Sequence, residues 1–232
     1  MSIYAISDLH LALSIDKPMD VFGGQWGNYM QKLQTNWNNL VTDNDYVLIP
    51  GDISWATYID DAHLDFSFID KLKGTKIISK GNHDYWWTTM SKLQKYIDEN
   101  KFSSIKFLNN NSIKLEDIGV CATRGWKCPN EDDFTKEDKK IYDREVNRLK
   151  LSLESVLEKD CEKYVMIHFP PFNTKREMNE LIELMNTYGV KNCLYGHLHG
   201  SALKNPLEGE LYGINFKLIS ADYLNFMPIK IK

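Results

Sequence analysis

The sequence predicts an α/β fold in which two sheets pack face to face and helices cover the outer surfaces. Three observations predict it: short apolar runs of strand length, amphipathic helical patterns between several of them, and two stretches that contain strands without helices. The 232 residues suffice for one large domain, and no internal repeat or Gly/Ser/Pro-rich linker divides them. We therefore expect a single domain over residues 1–232.

Five short, largely apolar runs have the length and the boundaries of buried strands, because Gly, Pro or polar residues follow each of them. They are Ile3–Ile6, Tyr46–Ile49, Lys76–Ser79, Tyr164–Ile167 and Cys193–Tyr195. The stretches Ser103–Ala122 and Glu210–Lys232 have the pattern of strand meanders. Strands that alternate with helices predict βαβ units, and the two meanders supply strands for a second sheet.

Apolar residues recur on one face of five further segments, as they do along the buried side of a helix. These sets are Tyr29, Leu33, Trp37 and Leu40; Ile59, Phe66, Ile69 and Leu72; Met90, Leu93 and Ile97; Ile141, Leu149, Leu153 and Val156; and Met178, Leu181, Ile182 and Met185. Thr135 and Asp138 precede the fourth set with the spacing of an N-terminal capping pair.

Composition and charge exclude several classes of protein. Hydrophobic residues make up 43% of the chain and charged residues 26%, which is typical of a folded globular protein. The net charge of −4 repels polyanions, so we do not expect bulk nucleic acid as a partner. No apolar run approaches the ~18 residues of a membrane span. The oligomeric state is left open by these features.

The cysteines and the N-terminus favour a cytoplasmic location. The four cysteines form no C-x-x-C pair and no disulfide framework, which is the pattern of free thiols in a reducing compartment. The first residues turn acidic too soon for a signal peptide.

Polar side chains with metal-binding chemistry follow all five strand-like runs. They are Asp8 and His10, Asp52, Asn82 and His83, His168, and His197 and His199. Of the six histidines, only His63 lies elsewhere, in a helical pattern where a surface or packing role is expected. Because ligands of open α/β sheets bind beyond the carboxyl ends of the strands, we expect these residues to converge on one site.

Carboxylate, amide-oxygen and imidazole donors suit divalent Mn, Fe, Zn or Mg. Each motif alone has another interpretation. Asp8 and Asp52 could be helix N-caps, and His168 could be a loop histidine with a hydrogen-bond partner. All five motifs together, each directly after a strand, favour two divalent metal ions at a common site.

The ordered motifs resemble those of the calcineurin-like metallophosphoesterase family. The matching residues are D-x-H at Asp8 and His10, G-D at Gly51 and Asp52, G-N-H-D at Gly81–Asp84, the single His168, and G-H-x-H at Gly196–His199. The resemblance spans residues 3 to 199. It implies a four-layer α/β/β/α sandwich of two mixed sheets flanked by helices, with the active site at one end of the sheets.

The resemblance also implies how the ligands divide between two metal ions. Asp8, His10, Asp52 and His199 would hold the first ion, and Asp52, Asn82, His168 and His197 would hold the second. Asp52 would bridge the two. A pair of ions ~3.5–4 Å apart acidifies a bridging water, whose hydroxide attacks the phosphorus of a phosphate mono- or diester. The implied enzyme is a metal-dependent phosphatase or phosphodiesterase.

Three further residues receive roles near this centre. His83 is not needed as a ligand, and we expect it to donate a proton or a charge-assisted hydrogen bond to the phosphate or the leaving oxygen. Asp84 follows it and would fix the tautomer and charge of His83. Asn82 would also contact the substrate. Arg124, after another strand-like run, would either bind the substrate phosphate or tie a surface loop.

Two groups of residues have open interpretations. The segment Asp16–Trp26 lies between the first two motifs, so it either lies at the mouth of the site and binds substrate or simply connects two elements. Trp55, Tyr85, Trp86 and Trp87 follow metal motifs and either line the mouth or pack in the core.

The motifs narrow the substrate class. Family members that act on phosphoproteins carry G-D-x-x-D-R-G and G-N-H-E, which residues 51–57 and Asp84 do not match. We therefore expect a small phosphorylated molecule or a nucleotide as substrate. The alternative is a metal-binding protein-interaction scaffold on the same fold, without turnover. The presence of His83 beside all seven ligands favours the enzyme.

Overall fold

The computed structural model describes residues 1–17, 19–157 and 161–232. Its strands are β1 (Ile3–Ala5), β2 (Tyr46–Pro50), β3 (Thr75–Ser79), β4 (Ile105–Phe107), β5 (Ser112–Leu115), β6 (Ile118–Thr123), β7 (Glu162–Ile167), β8 (Asn192–Tyr195), β9 (Gly209–Leu211), β10 (Ile214–Leu218) and β11 (Ile229–Lys230). Its α-helices are α1 (Tyr29–Leu40), α2 (His63–Lys71), α3 (Met90–Asn100), α4 (Lys136–Glu154) and α5 (Glu180–Thr187).

The strands form two mixed sheets. The first has the order β11-β1-β2-β3-β4, and only β11 runs antiparallel to its neighbour. The second has the order β5-β6-β7-β8-β10-β9, in which the edge strands β5 and β9 are antiparallel and the rest are parallel. The carboxyl ends of the parallel strands within a sheet therefore lie at one edge.

Three hydrophobic clusters place these elements in four layers, α/β/β/α, as the sequence predicts. Successive residues of β2 show the principle, since Val47 and Ile49 pack under helices α1–α3 while Leu48 faces the second sheet. Leu48 belongs to an interlayer core with, among others, Ala5, Ile77, Val120, Met166 and Leu194. Helices α4 and α5 cover the outer face of the second sheet through a third cluster.

The two predicted meanders each divide between the sheets. In the first stretch, β4 pairs with β3 of the first sheet, whereas β5 and β6 belong to the second. In the second stretch, β9 and β10 extend the second sheet, and β11 returns to pair with β1. The strands were correctly predicted, but hydrophobic pattern alone does not specify which sheet a strand joins.

Local capping sets the ends of the last two helices. The predicted capping pair is confirmed, because the Asp138 backbone N–H donates to Thr135 Oγ1 over 3.1 Å and the Thr135 N–H donates to the Asp138 carboxylate over 2.9 Å. Helix α4 ends at Glu154, so Val156 lies beyond it. The Asn179 side chain caps α5, which leaves Met178 exposed ahead of the helix. Among the described residues, no helix has both the length and the apolar content to cross a bilayer.

Candidate metal centre

The seven predicted metal ligands all follow parallel strands at their carboxyl ends. Asp8 and His10 follow β1, Asp52 follows β2 and Asn82 follows β3 in the first sheet; His168 follows β7 and His197 and His199 follow β8 in the second. The site therefore lies where the two sheets meet, and both sheets supply donor atoms.

One cluster contains Asp8, His10 and His199, whose donor atoms all lie within 4.8 Å of one another. Nε2 of His199 lies 3.2 Å from Oδ1 of Asp8 and 3.2 Å from Nε2 of His10. Nε2 of His10 also lies 3.8 Å from Oδ2 of Asp52. Two carboxylates and two imidazoles thus face one small volume.

A second cluster contains Asp52, His168 and His197, again with donor atoms within 4.8 Å of one another. Oδ1 of Asn82 lies 2.6 Å from Nε2 of His168 and 2.9 Å from Nδ1 of His197. Oδ2 of Asp52 lies 3.3 Å from Nε2 of His168. The same oxygen of Asp52 therefore faces both clusters, as a bridging ligand requires.

Hydrogen bonds from the far side of two rings orient them toward the clusters. Nδ1 of His168 lies 3.0 Å from the carbonyl oxygen of Pro50, and Nδ1 of His199 lies 2.9 Å from Oδ1 of Asp222. Because both partners are acceptors, each Nδ1 carries a proton, which leaves Nε2 as the nitrogen available to a metal.

The donor set fits divalent cations. Carboxylate oxygen, amide oxygen and imidazole nitrogen converge, whereas the four cysteine thiols lie outside both clusters. Such a set suits Mn, Fe, Zn or Mg, and two clusters that share one carboxylate provide places for two ions.

Opposite charges in close contact fix the protonation of four groups. Burial acts to raise the pKa of Asp8, but the charges of His199 and His168 hold it well below its usual range. Burial also acts to raise the pKa of Asp52, and His168 brings it down to about 2. Against burial, the carboxylates raise the pKa of His168 to about 9 and that of His199 to about 10. Protons and metal ions therefore compete for these two imidazoles.

The other two imidazoles are neutral at physiological pH. Burial lowers the pKa of His10 to about 4, although Asp52 and Asp8 act to raise it. Burial and the charge of His168 lower the pKa of His197 to about 3. Neutral imidazole is the form that binds a metal.

Four of the seven predicted ligands have left-handed backbone conformations, which L-residues rarely adopt. The φ angles are 60° at Asp8, 46° at His10, 53° at Asp52 and 71° at His197. Contacts between loops hold these conformations; for example, the His10 N–H donates to the Asp52 carbonyl over 3.0 Å, and the Tyr29 hydroxyl donates to the His10 carbonyl over 3.0 Å. Such strained backbone concentrates at functional sites.

Two motif glycines are required by close approach to the ligand carboxylates. A Cβ on Gly81 would lie 2.1 Å from Oδ1 of Asp52, and a Cβ on Gly196 would lie 2.3 Å from Oδ2 of Asp8. Any side chain at these positions would displace a ligand. Glycine is therefore needed at both positions for close packing against these carboxylates.

The sequence, compared as a whole, matches the family model described as calcineurin-like phosphoesterase over residues 1–201. This match covers most of the chain. The protein belongs to the calcineurin-like phosphoesterase family. Family membership and the two clusters together support a metal-dependent phosphoesterase. Among curated proteins, none matches this calcineurin-like phosphoesterase in sequence.

Solved structures share the fold of this calcineurin-like phosphoesterase at low sequence identity. TT1561 of Thermus thermophilus has a TM-score of 0.58 and 12% identity, covering 98% of this chain and 96% of its own. Phosphopantetheinyl hydrolase of Mycobacterium tuberculosis has a TM-score of 0.56 and 14% identity, covering 97% and 90%. A protein of unknown function from Aquifex aeolicus has a TM-score of 0.50 and 16% identity, covering 99% and 95%.

His83 of the calcineurin-like phosphoesterase lies beside both clusters without joining either. Its backbone N–H donates to Oδ1 of Asp52 over 2.8 Å, and its ring centroid lies 5.7 Å from that of His10 and 4.3 Å from that of Trp55. Its buried Nδ1 has no hydrogen-bond partner among the described residues. Burial lowers the pKa of His83, so the ring is neutral at pH 7 and can donate a hydrogen bond through an N–H.

Asp84 does not orient His83, contrary to the sequence-based expectation. Its carboxylate, fully buried, accepts backbone N–H groups of Asp52 over 2.9 Å, Ile53 over 2.8 Å and Gly81 over 2.8 Å. Burial and the charge of Asp52 raise the pKa of Asp84 to about 7, against the effect of these donors. Asp84 therefore joins the loops that follow β2 and β3 and positions Asp52.

Arg124 is engaged by a buried carboxylate. Its Nη2 lies 3.2 Å from Oε1 of Glu145 in α4, and its guanidinium lies 4.6 Å from the ring centroid of Trp126. Of the two roles that the sequence allowed, these contacts favour the structural tie.

Residues of the segment Asp16–Trp26 and the side chain of Trp55 surround the first metal cluster. Trp26 lies edge-on to His10 and His199, with centroid distances of 5.9 Å and 6.0 Å. Trp55 stacks on His10 at 4.9 Å. Met19, Trp26 and Trp55 border a cavity at the site, so the interpretation of Asp16–Trp26 as part of the mouth applies at least to its second half.

The other three aromatic residues divide between surface and core. Tyr85 is exposed, and Trp86 is buried in the hydrophobic cluster between the first sheet and helices α1–α3. Trp87 is partly buried and packs against the same hydrophobic cluster. His63 is exposed at the start of α2 and belongs to neither metal cluster, as expected.

Asp222 also contacts the site and was not predicted from the sequence. Its carboxylate accepts a hydrogen bond from Nδ1 of His199 and one from the backbone N–H of Tyr223 over 3.0 Å. Asp222 follows the apolar strand β10 by four residues, so the strand-end criterion applied to Asp8 would have found it.

Proposed function

We propose that this calcineurin-like phosphoesterase hydrolyses a phosphate mono- or diester with two divalent metal ions. Asp8, His10, Asp52 and His199 would hold one ion, and Asp52, Asn82, His168 and His197 the other. The observation that carries the proposal is the position of Oδ2 of Asp52, 3.8 Å from Nε2 of His10 and 3.3 Å from Nε2 of His168.

The bound ions would supply positive charge that neutralises the phosphate and lowers the pKa of water. Asp52 would hold the two metal positions at a fixed separation. Asn82 would bind a metal through its amide oxygen and a phosphate oxygen through its amide nitrogen.

His83 would stabilise the leaving group. Its neutral ring can donate a hydrogen bond to the ester oxygen. The negative charge of a bound phosphate raises the pKa of a nearby imidazole, which favours the protonated form that can transfer a proton. The position of the ring beside His10 and Asp52 supports this role.

A small phosphorylated molecule or nucleotide fits the site better than a macromolecule. The first cluster borders a cavity of about 410 Å³, which His10 and His199 help to line. The chain is acidic overall, with a net charge of −4, which disfavours long polyanions. Because phosphopantetheinyl hydrolase shares the fold, a phosphopantetheinyl ester belongs in the substrate panel.

Hydrolysis of 4-nitrophenyl phosphate and of bis(4-nitrophenyl) phosphate, with Mn²⁺, Fe²⁺, Zn²⁺ or Mg²⁺ added, tests the proposal. We expect turnover with at least one ion, a large loss in His83→Ala, and wild-type activity in the control His63→Ala. His63 is suited as a control because it is exposed and lies outside both clusters.

The competing function is a metal-binding interaction scaffold without turnover. Metal analysis of the purified protein together with the ester panel separates the two, since the enzyme should bind about two ions per chain and also hydrolyse an ester. Full metal loading with no turnover of any ester in the panel would favour the scaffold. A chelator should lower the melting temperature in either case, because bound ions stabilise the folded state.

A further inference from the structure

A cavity of about 410 Å³ adjoins the first metal cluster. Met19, Trp26 and Trp55 form its walls, and the imidazoles of His10 and His83 lie at its inner side. We call this space the tryptophan cavity. It is large enough for a substituent of drug-like size to be enclosed beside the reacting phosphate.

The walls of the tryptophan cavity are aromatic and held in place. Trp26 is only 4% exposed and packs edge-on against Phe226, with ring centroids 5.1 Å apart. Trp55 stacks on His10, and its Nε1–H donates to Sδ of Met19 over 3.1 Å. The indole donor of Trp55 is therefore already used, His10 and Lys17 contact the faces of the ring, and its remaining carbon atoms border the cavity.

The charged groups at the edge of the cavity are engaged by the protein. The Lys17 ammonium lies 3.1 Å from the centroid of the Trp55 ring, in a cation–π contact. The Asp222 carboxylate accepts hydrogen bonds from His199 and Tyr223. What remains is an apolar space next to a strongly polar metal centre.

We propose that the alcohol part of the substrate ester carries a bulky apolar body, phenyl-sized or larger, which occupies the tryptophan cavity. This inference rests on the proposed function. His83 connects the two, because it contacts the ester oxygen in the proposed reaction and also borders the cavity. A group attached to that oxygen enters the space between Trp26 and Trp55, where its burial removes apolar surface from water.

Two esters with alcohols of similar acidity test the inference. We expect kcat/KM for 2-phenylethyl phosphate to exceed that for ethyl phosphate by at least about tenfold, because burying a phenyl group has an effect of that order. Since the leaving groups have similar acidity, the ratio reports on binding of the phenyl group. Equal values would overturn the inference, while hydrolysis of ethyl phosphate would leave the proposed function intact.

Variants identify the walls. Trp26→Ala should bring the ratio of the two kcat/KM values toward one, whereas the control Tyr58→Ala, which removes an aromatic residue that is 70% exposed, should keep it. If Trp26→Ala does not fold, Trp55→Ala removes the other wall. Reading the ratio within each variant cancels any general loss of activity. An unchanged ratio in the folded wall variants would refute the assignment of the cavity.

Binding without turnover separates this inference from the proposed function. Calorimetry should show that 3-phenylpropylphosphonate, which cannot be hydrolysed, binds the metal-loaded protein at least about tenfold tighter than propylphosphonate does. Equal affinities would overturn the inference even if esters are hydrolysed. If no ester is hydrolysed with any ion, the proposed function fails, and the phosphonate comparison still decides what the cavity binds.

Discussion

Glu145→Gln removes a buried carboxylate that contacts two arginines beneath the second sheet. Oε1 of Glu145 lies 3.2 Å from Nη2 of Arg124 and 2.6 Å from Nη1 of Arg148, and Oε2 accepts the Thr123 hydroxyl over 2.9 Å. The side chain of Glu145 is completely buried, and that of Arg124 is 15% exposed. The substitution preserves the shape of the side chain but removes its negative charge. The positive charge of Arg124 then lacks this partner and has little contact with solvent.

The magnitude follows from burial. Breaking a buried ion pair by removing one partner costs about 3–5 kcal/mol, and the residual exposure of Arg124 places this case near the lower end, about 3 kcal/mol. The side chain of Arg148 is 37% exposed, so solvent compensates for the lost carboxylate. The Arg148 contact therefore adds nothing to the expected loss in free energy of unfolding. With a urea slope of about 3 kcal/mol per M, the unfolding midpoint should fall by about 1 M.

Urea titration followed by tryptophan fluorescence measures this shift. The matched control is Glu183→Gln on the exposed side of α5, for which we expect less than about 0.5 kcal/mol. The competing role of Arg124 predicts a different pattern: Arg124→Met would raise KM for 4-nitrophenyl phosphate more than about tenfold without moving the midpoint. That pattern, or an unshifted midpoint in Glu145→Gln, would refute the structural tie.

Three further results are expected. Asp52→Asn should reduce kcat/KM at least roughly tenfold more than His10→Ala does, because Asp52, unlike His10, faces both clusters; similar losses would contradict bridging. Metal affinity measured by calorimetry should fall as pH drops from about 9, because the protons on His168 and His199, whose pKa values are raised to about 9 and about 10, must leave before a metal binds. Binding at pH 7 should therefore release roughly two protons. A binding enthalpy that does not change with the ionisation enthalpy of the buffer would contradict this. Gly196→Ala should weaken metal binding about ten- to hundredfold by displacing Asp8, while Gly27→Ala, whose Cβ would meet an atom only at 3.4 Å, serves as the control and should bind normally.

The ligands were predictable because each follows an apolar run, and the carboxyl ends of parallel strands necessarily meet at one edge of a sheet. Asp8 and His168 are 160 positions apart in the printed numbering, yet one local pattern marks both. The capping pair at Thr135 was predictable for the same reason, since its geometry involves only four consecutive residues.

Features that depend on contacts between distant loops were not predictable. Because Asp84 follows His83 in the sequence, the two side chains were expected to interact. The Asp84 carboxylate instead accepts hydrogen bonds from another loop, around Asp52. The separation of Arg124 and Glu145 in the sequence does not indicate that they meet. Their contact depends on how helix α4 packs against strand β6. The left-handed conformation of Asp52 is likewise imposed by the loop around Gly81.

Each cluster draws its donor atoms from both sheets, so the separation of the two layers also sets how far apart the donors of one cluster lie. Side chains such as Leu48 and Met166, fully buried in the interlayer core, act as spacers between the layers. A residue of different volume at such a position would alter the spacing of the donor atoms without touching any of them. The fit of the two clusters to metal ions is thus adjustable from the interior of the protein, at positions that an inspection limited to the site would overlook.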